Sequence, residues 1–237
     1  MAICKVIGSG SKGNCYFIEC SNEALVLELG VSWSDVLHGL NYNTEDVQGV
    51  LVSHGHQDHS KYIPNALKSQ IPVYSNQEVA DKFQGVKVLK PKIQYKIGGF
   101  VVMALPVQHN CDNYSYLVTH KEFGSLVFCT DAMSFPYKIK GLNHLLIEAN
   151  NSEDLMIDNL CRNEQIRSHG EFHMEVNQTI EAIKRNMNPE LRTLMLVHLS
   201  DGQSNERMFK QMVFDEVGVM PVIADKGVEL ELNKEDF

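Results

Sequence analysis

The sequence lacks any run of about 18 apolar residues, the length that a membrane-spanning helix needs. Near residue 1 it also lacks a long apolar segment, because Lys5 is soon followed by glycine and serine, so we expect no secretory signal peptide. Basic residues are not in excess either: the formal net charge is −9, whereas proteins that wrap nucleic acid non-specifically are usually basic. These absences predict a cytoplasmic protein without a membrane partner.

Paired cysteine motifs are missing as well. The six cysteines form no C-x-x-C pair and no dense cluster, and three of them lie in strand-like apolar stretches. Such thiols are usually reduced and buried in cytosolic proteins. The cysteines are Cys4, Cys15, Cys20, Cys111, Cys129 and Cys161.

The acidic excess is not evenly spread along the chain. Five lysines and no acidic residue lie between Lys82 and Lys96. The commoner explanation of such a run is a solvated strand and turn surface. The alternative is a patch that attracts phosphate groups.

Hydrophobic patterning predicts strands that come in hairpins, with helices concentrated late in the chain. A composition shift near Asn150 separates two halves of one domain rather than two domains. The pattern is not a regular βαβ alternation, so we expect an α/β (α+β) protein with two mixed sheets packed face to face and helices outside. This is a four-layer αββα sandwich formed by a single domain over residues 1–237. The predicted strands are 2–7, 14–20, 23–30, 47–54, 71–76, 94–100, 100–107, 114–120, 125–131, 144–150, 193–200 and 221–232, and the predicted helices are 32–40, 60–67 (a short helix or turn), 76–83, 152–167, 174–188 and 204–216.

The stretch HGHQDH directly follows the apolar run VQGVLVS and brings together His54, His56, Asp58 and His59. Imidazole and carboxylate are the ligands of zinc-like divalent ions. With only ten histidines in the chain, a chance cluster or an ordinary polar loop is a poor explanation. A short loop at the end of a strand can direct these side chains to two adjacent metal sites.

Further ligands are expected at other strand ends. His109, Asp131 and His198 each follow four or more largely apolar residues. Any one of them could be an ordinary buried polar residue whose hydrogen bonds are satisfied within the protein. This alternative explains less well why all three occupy the same position after a strand.

The H-x-H-x-D-H element, a later histidine, the dipeptide TD and a late strand-ending histidine resemble the metallo-β-lactamase superfamily over most of the chain. The resemblance implies an αββα sandwich with two divalent metal ions, Zn²⁺ or else Mn²⁺, between the sheet edges. In lactam-cleaving branches a cysteine commonly occupies the position of Asp131, so this chain looks more like the hydrolase and phosphodiesterase branches. Carried over by position, His54, His56 and His109 hold one metal, Asp58, His59 and His198 hold the other, and Asp131 bridges both.

Shorter motifs are similar to the YycJ/WalJ-like subgroup, which is linked to 5′-exonuclease activity on DNA. They are GSGSKGNCYFIE, LLIEANNS, HMEVNQ and HLSDGQSN. Two positions depart from the usual patterns: Glu28 stands where the superfamily usually has aspartate, and EFHMEVN stands where the subgroup usually has GHLSN.

The hypothesis for catalysis is a hydroxide shared by two metals that attacks phosphorus in line. By its position between Asp131 and His198, His173 matches an auxiliary histidine of related phosphodiesterases and is the candidate proton donor, although it could instead be a histidine that packs at a helix start. Asp58 is the second predicted catalytic residue.

Two further predictions concern supporting residues. Glu28 is expected to accept the free N–H of a ligand histidine, the alternative being an exposed edge-strand glutamate. Ser9, Ser11 and Asn14 in GSGSKGN are candidates for binding a terminal phosphate, the alternative being an ordinary glycine-rich hairpin.

Three functions remain open from the sequence. The first is a two-metal phosphodiesterase acting on DNA, and the second is a two-metal hydrolase of a small cyclic phosphodiester, thioester or lactone. The third is a binding module that keeps the fold without activity, against which the complete ligand set argues. Oligomeric state is not indicated.

Overall fold

The computed structural model describes residues 2–152, 172–200 and 204–234. Its first sheet has seven strands in the order β14-β1-β2-β3-β4-β5-β6, with β3, β4 and β5 parallel to one another. The strands are β1 Ala2–Gly8, β2 Cys15–Glu19, β3 Ala24–Leu27, β4 Val47–Leu51, β5 Val73–Ser75, β6 Lys87–Val88 and β14 Glu229–Leu232.

The second sheet also has seven strands, in the order β13-β12-β11-β10-β9-β8-β7. Strands β10, β11 and β12 are parallel, whereas β7, β8 and β9 pair as antiparallel hairpins. The strands are β7 Gln94–Ile97, β8 Phe100–Val107, β9 Asn113–His120, β10 Gly124–Cys129, β11 His144–Glu148, β12 Thr193–Val197 and β13 Val222–Ile223.

Three apolar layers hold the sheets and helices together. The inner faces of the two sheets pack on each other through side chains such as Tyr16, Phe100 and Phe128. Helices α1, α3 and α4 cover the outer face of the first sheet, and α5 and α6 cover that of the second. The predicted αββα sandwich is therefore confirmed. The helices are α1 Trp33–Gly39, α2 Gln57–Ser60, α3 Ile63–Lys68, α4 Gln77–Lys82, α5 Val176–Asn186 and α6 Glu206–Val217.

Strand direction decides where the polar strand ends meet. The carboxyl ends of β3 and β4 lie at one edge of the first sheet, and those of β8, β10, β11 and β12 lie at one edge of the second. Residues that follow these strands are separated widely in sequence but gather at one end of the sandwich.

Most predicted strands and helices form where expected, with two differences. The predicted strand 221–232 is broken, because residues 224–228 turn and send β13 and β14 into different sheets. The short elements α2 and β6 had no predicted counterpart, since they are too short to show a periodic pattern. The predicted helix 152–167 lies almost wholly outside the described residues. Within the described ranges, every helix is too short or too polar to cross a bilayer.

Candidate metal centre

The loop after β4 supplies the first side chains of the centre. Ser60 Oγ donates to the carbonyl oxygens of Gly55 and His56 and closes the loop into helix α2. The backbone of Gly30 lies so close to the carbonyl oxygen of Asp58 that any Cβ at Gly30 would clash with it. Glycine at this position therefore lets the loop after β3 support helix α2.

His54, His56 and His109 form a first group. His109 Nε2 lies 3.4 Å from His56 Nδ1, and His54 and His109 place their Nε2 atoms 3.7 and 3.9 Å from Asp131 Oδ2. His109 Nδ1 donates to the Phe172 carbonyl at 3.0 Å, which leaves Nε2 with its lone pair directed to the group. The structure adds Cys111, whose thiol falls within the same set of ligand atoms.

Asp58, His59 and His198 form a second group. Asp58 Oδ2 lies 3.3 Å from His59 Nε2 and 3.4 Å from His198 Nε2. The other oxygen of Asp131, Oδ1, lies 3.3 Å from His59 Nε2 and 3.4 Å from His198 Nε2. Each oxygen of Asp131 thus faces a different group, which is the position of a bridging ligand.

Backbone conformation marks the same residues. Asp131 and His198, together with Glu28, have φ angles of 49°, 53° and 67°. Residues other than glycine rarely adopt this left-handed backbone conformation, and the residues that do are concentrated at functional sites. Asn113 fixes the backbone of Asp131 by donating to its carbonyl oxygen. The fold therefore imposes these conformations to turn the side chains inwards.

Glu28 is fully buried, which excludes an exposed edge-strand glutamate. Its carboxylate accepts from the Ser53 N–H at 3.1 Å and lies 3.5 Å from His59 Nδ1. A carboxylate in this place orients the ring of His59 so that Nε2 faces Asp58 and Asp131.

Glu148, which the sequence did not single out, organises the other side of the centre. It is fully buried at the end of β11, 2.6 Å from His173 Nδ1 and 3.4 Å from His198 Nδ1. The rings of His173 and His198 are stacked with 5.4 Å between centroids. Glu148 is the last residue of β11, close to the position that Asp131 and His198 take just beyond their strands, and this strand-end position is the signal that could have found it. The apolar pattern of HLLIE indicates only a buried strand.

Charge in the centre favours cations. Burial lowers the pKa of His198, but Asp131, Asp58 and Glu148 outweigh burial and raise this pKa to about 10. Burial raises the pKa of Asp131, but His198 and His59 outweigh it and hold this pKa well below its usual range. Buried carboxylates thus stay ionised here only because positive charge lies beside them.

A model of the beta-lactamase superfamily domain matches residues 34–199, which span both ligand groups and more than half of the chain. The chain belongs to this superfamily. Its fold, its sequence motifs and its family match therefore agree, and it is a metal-dependent hydrolase of the metallo-β-lactamase fold.

Curated relatives of this superfamily member include two bacterial proteins. Over 168 residues it is 27% identical to "Exodeoxyribonuclease YycJ" of Bacillus anthracis, covering 64% of this chain and 64% of the relative, which is less than two thirds of that protein's length. Over 252 aligned positions it is 22% identical to "Exodeoxyribonuclease WalJ" of Streptococcus pneumoniae, covering 98% of this chain and 92% of the relative.

A solved structure shows the same superfamily fold. The metallo-β-lactamase fold protein YhfI from Bacillus subtilis superposes with a TM-score of 0.76 at 19% identity, covering 98% of this chain and 100% of that one. At this identity the likeness concerns the fold alone.

The side chains of this superfamily centre fit divalent metal ions. His54 Nε2 and His59 Nδ1 are buried without a hydrogen-bond partner among the described residues. Since a buried polar atom without a partner costs about 1–3 kcal/mol, His54 Nε2, which faces Asp131, is best explained as a metal ligand. Imidazole nitrogens and carboxylate oxygens suit zinc and tolerate manganese.

The three predicted phosphate-binding residues fall into different positions. Ser11 lines an open cleft of about 650 Å³ over the centre, together with His56, Asp58, His109 and His173. Ser9 Oγ instead accepts from the His198 N–H and from the Tyr16 hydroxyl.

Asn14 does not line the cleft either. It is fully buried, and its amide bonds to Gly10 and to the Asp58 carbonyl. The geometry therefore gives Ser9 and Asn14 supporting contacts rather than contacts with a substrate, and leaves only Ser11 as a phosphate-binding candidate.

Proposed function

We propose that this protein is a dinuclear metal-dependent phosphodiesterase that degrades DNA from a 5′ end. The observation that carries the proposal is that Asp131 lines the cleft with one carboxylate oxygen towards each ligand group. His173 lies on the wall of the same cleft, so a site for two cations and a proton donor share one opening.

His54, His56 and His109 would hold one cation, Asp58, His59 and His198 the other, and Asp131 would bridge them. When bound, two such cations supply a nucleophilic water at neutral pH and neutralise the charge that develops on phosphate oxygens. The chain itself fixes the spacing, because its ligands come from rigid strand ends and a loop closed by Ser60. Asp58 lines the cleft at the second group, where it would help to orient the attacking water.

His173 is the proton donor in this proposal. Its Nδ1–H donates to the buried carboxylate of Glu148 at 2.6 Å, so Nε2 is the ring nitrogen that remains to serve the leaving oxygen. Glu148 fixes the ring orientation and stabilises the protonated imidazole, as a carboxylate partner does for a general acid. Ser11, which lines the same cleft, would contact a terminal phosphate.

A nucleic-acid substrate is supported by the exodeoxyribonuclease relatives and by the lysine run. All five lysines from Lys82 to Lys96 are exposed. Lys82 Nζ donates to the Gly55 carbonyl at 2.6 Å, which places one end of this run beside the HGHQDH loop. Positive charge at this border would attract a phosphate backbone in a protein that is otherwise acidic.

The experiment is a comparison of substrates with the metal-loaded protein. A 5′-labelled oligonucleotide, bis-p-nitrophenyl phosphate and a panel of lactones are incubated with Zn²⁺ or Mn²⁺. We expect shortening of the oligonucleotide from its 5′ end. Hydrolysis of bis-p-nitrophenyl phosphate or lactones without any oligonucleotide cleavage would replace the nuclease proposal with a small-molecule hydrolase.

The lysine run can be tested in the same assay. In Lys90→Ala and Lys96→Ala, oligonucleotide binding should weaken, and the log–log slope of its salt dependence should fall by about 1 for each phosphate that the variant no longer neutralises. Hydrolysis of bis-p-nitrophenyl phosphate should not change, because this substrate has no extended phosphate backbone. Lys234→Ala, at a lysine beyond β14, is the matched control. Equal effects on both substrates would show that the run does not bind DNA.

Four assignments stay predictions beside this proposal. They are Zn²⁺ over Mn²⁺, a cytoplasmic location, a single domain over residues 1–237 and the absence of a membrane partner. Elemental analysis of the purified protein addresses the first directly.

A further inference from the structure

A second cluster of metal-capable side chains lies at the opposite end of the sandwich. Strand β2 begins beside Asn14 and ends before Cys20, and strand β9 begins at Asn113 and ends at His120. The turns after these strands are therefore remote from the centre built around Asp131. We propose that Cys20, His120 and Glu122 form a separate zinc site that links the two sheets at this end.

The three ligand atoms are already gathered. The thiol of Cys20, a ring nitrogen of His120 and a carboxylate oxygen of Glu122 all lie within 4.8 Å of one another, and Cys20 Sγ is 3.2 Å from His120 Nδ1. Two ligands on a tetrahedral zinc, at bond lengths of about 2.0–2.3 Å, are separated by about 3.5 Å. Small side-chain movements would thus close the three ligands on one ion.

Glu23 selects the ring nitrogen that faces the thiol. His120 Nε2 lies 3.2 Å from Glu23 Oε1, and because a carboxylate only accepts, Nε2 carries the proton. Nδ1 is then the nitrogen with a lone pair, which accepts from the Glu122 backbone N–H and points to Cys20 Sγ. A carboxylate behind a histidine that faces a ligand cluster is the usual arrangement of a metal-bound imidazole.

A glycine turn makes room for this carboxylate. The Gly99 N–H donates to Glu23 Oε2 at 2.6 Å. A Cβ on Gly99 would clash with Glu23 Oε1. The turn between β7 and β8 therefore holds Glu23 against His120, and glycine permits the approach.

The other groups are held in place too. The ring of His120 packs between Phe100 and Phe123, with centroid distances of 4.9 and 5.7 Å. The Glu122 carboxylate accepts from both the N–H and the hydroxyl of Ser21, at 3.2 and 3.0 Å. Ordering these side chains before the metal arrives reduces the entropy lost on binding.

The chemistry of the cluster selects zinc. A thiolate with an imidazole favours Zn²⁺ over Mg²⁺, Ca²⁺ or Mn²⁺, which prefer oxygen ligands. Zinc binds the thiolate, so binding would release the thiol proton of Cys20 and place a positive charge beside the carboxylates of Glu122 and Glu23. Water would occupy the fourth position.

Such an ion would join parts of both sheets. Cys20 lies in the turn between β2 and β3 of the first sheet, whereas His120 and Glu122 lie in and after β9 of the second. A bond network across the end of the sandwich stabilises the folded state by the binding free energy, because the unfolded chain does not hold the three ligands together.

The test counts metal and observes the thiol. The protein and its Cys20→Ser variant are saturated with Zn²⁺, desalted and measured by elemental analysis, and we expect about one equivalent of zinc fewer per chain in the variant. With Co²⁺ in place of zinc, wild type should show thiolate-to-metal charge-transfer absorption that the variant lacks. The other site lies at the far end, so hydrolysis of bis-p-nitrophenyl phosphate serves only as a check that the variant is folded.

Cys111→Ser is the matched control, because Cys111 lies beside the ligands of the first centre. It should keep the absorption that Cys20→Ser loses. Glu23→Gln should keep the three ligands but weaken zinc binding about 10- to 100-fold in a chelator competition. Equal zinc content in wild type and Cys20→Ser, or absorption that disappears with Cys111 instead, would overturn the proposal.

Discussion

The two ends of this sandwich bring metal-capable side chains together by different routes. At one end, a local loop carrying His54 and His59 meets residues that follow distant strands, such as Asp131. At the other end, Cys20 lies in a hairpin turn and His120 is the last residue of β9. The first end gathers histidine and aspartate side chains, with the Cys111 thiol beside them, under an open cleft. The second end gathers the Cys20 thiol with His120, whose ring packs against aromatic rings.

The difference shows that strand direction decides which kinds of residues gather at each end of the sandwich. Parallel strands direct all their carboxyl ends to one edge of a sheet, so a cleft with several functional groups forms there. The opposite edge receives the short turns after β2, β7 and β9, and each of these turns contributes only a few side chains. We therefore expect catalysis at the first end and stabilisation at the second.

The largest effect is expected from Asp131→Asn. The amide cannot offer an anionic oxygen to each ligand group, so both groups lose their shared carboxylate. Hydrolysis should fall to background and the metal content measured by elemental analysis should drop. Asp112 is an exposed aspartate in the loop between β8 and β9, and Asp112→Asn is the control. This control should keep its activity and its metal content. Full metal content with full activity in Asp131→Asn would remove the bridging assignment.

His173→Gln should have the next largest effect. Loss of a general acid lowers the rate of the chemical step by about 10²- to 10⁴-fold, while the metal content should not change because the seven ligand candidates are intact. A substrate with a good leaving group should be affected less than an oligonucleotide, since it needs little protonation. Equal losses for both substrates would point to a structural role of His173.

Glu28→Gln should reduce metal affinity without abolishing activity. The neutral amide no longer stabilises the proton on His59 Nδ1, and loss of such an orienting carboxylate weakens metal binding by about 10- to 100-fold. Activity should recover when metal is added in excess. Glu19→Gln, a glutamate of β2 that pairs with Lys5, is the matched control. If metal titrations of the Glu28 variant and wild type coincide, Glu28 does not orient His59.

The smallest effect is expected from His144→Gln, which concerns the pH dependence of stability. His144 lies at the second end of the sandwich. It is buried at the start of β11, where its Nε2–H donates to the Phe123 carbonyl at 3.0 Å, and burial lowers its pKa to about 4. Below a pH of about 6.5, His144 binds a proton in the unfolded chain but stays neutral in the folded protein. The free energy of unfolding therefore falls as the pH drops towards 4.

The measurement is urea unfolding of wild type and His144→Gln at pH 7.5 and pH 5. Glutamine keeps a hydrogen-bond donor and does not titrate. Between pH 7.5 and pH 5 the free energy of unfolding should therefore fall by about 2 kcal/mol more in wild type than in the variant. Identical losses would show that His144 is readily protonated in the folded state.

The sequence signal agrees with the geometry of the candidate centre where this signal is local or repeated. HGHQDH brings ligand candidates together within one loop, and His109, Asp131 and His198 share a position after apolar strands. Glu148 also stands at a strand end, but it is the last residue of β11 itself, so HLLIE alone indicates only a buried strand. The phosphate-binding hypothesis for Ser9 and Asn14 depended on composition alone, which does not show that their polar atoms bond to His198, Gly10 and Asp58.

The sequence by itself determined the layered fold and the kind of chemistry, because hydrophobic periodicity and ligand type are properties of neighbouring residues. Only the tertiary structure decided that Asp131 faces both ligand groups, that Glu148 holds His173, and that Cys20 meets His120. These contacts join residues far apart in the chain. They depend on strand order and direction, which a pattern of neighbouring residues does not specify.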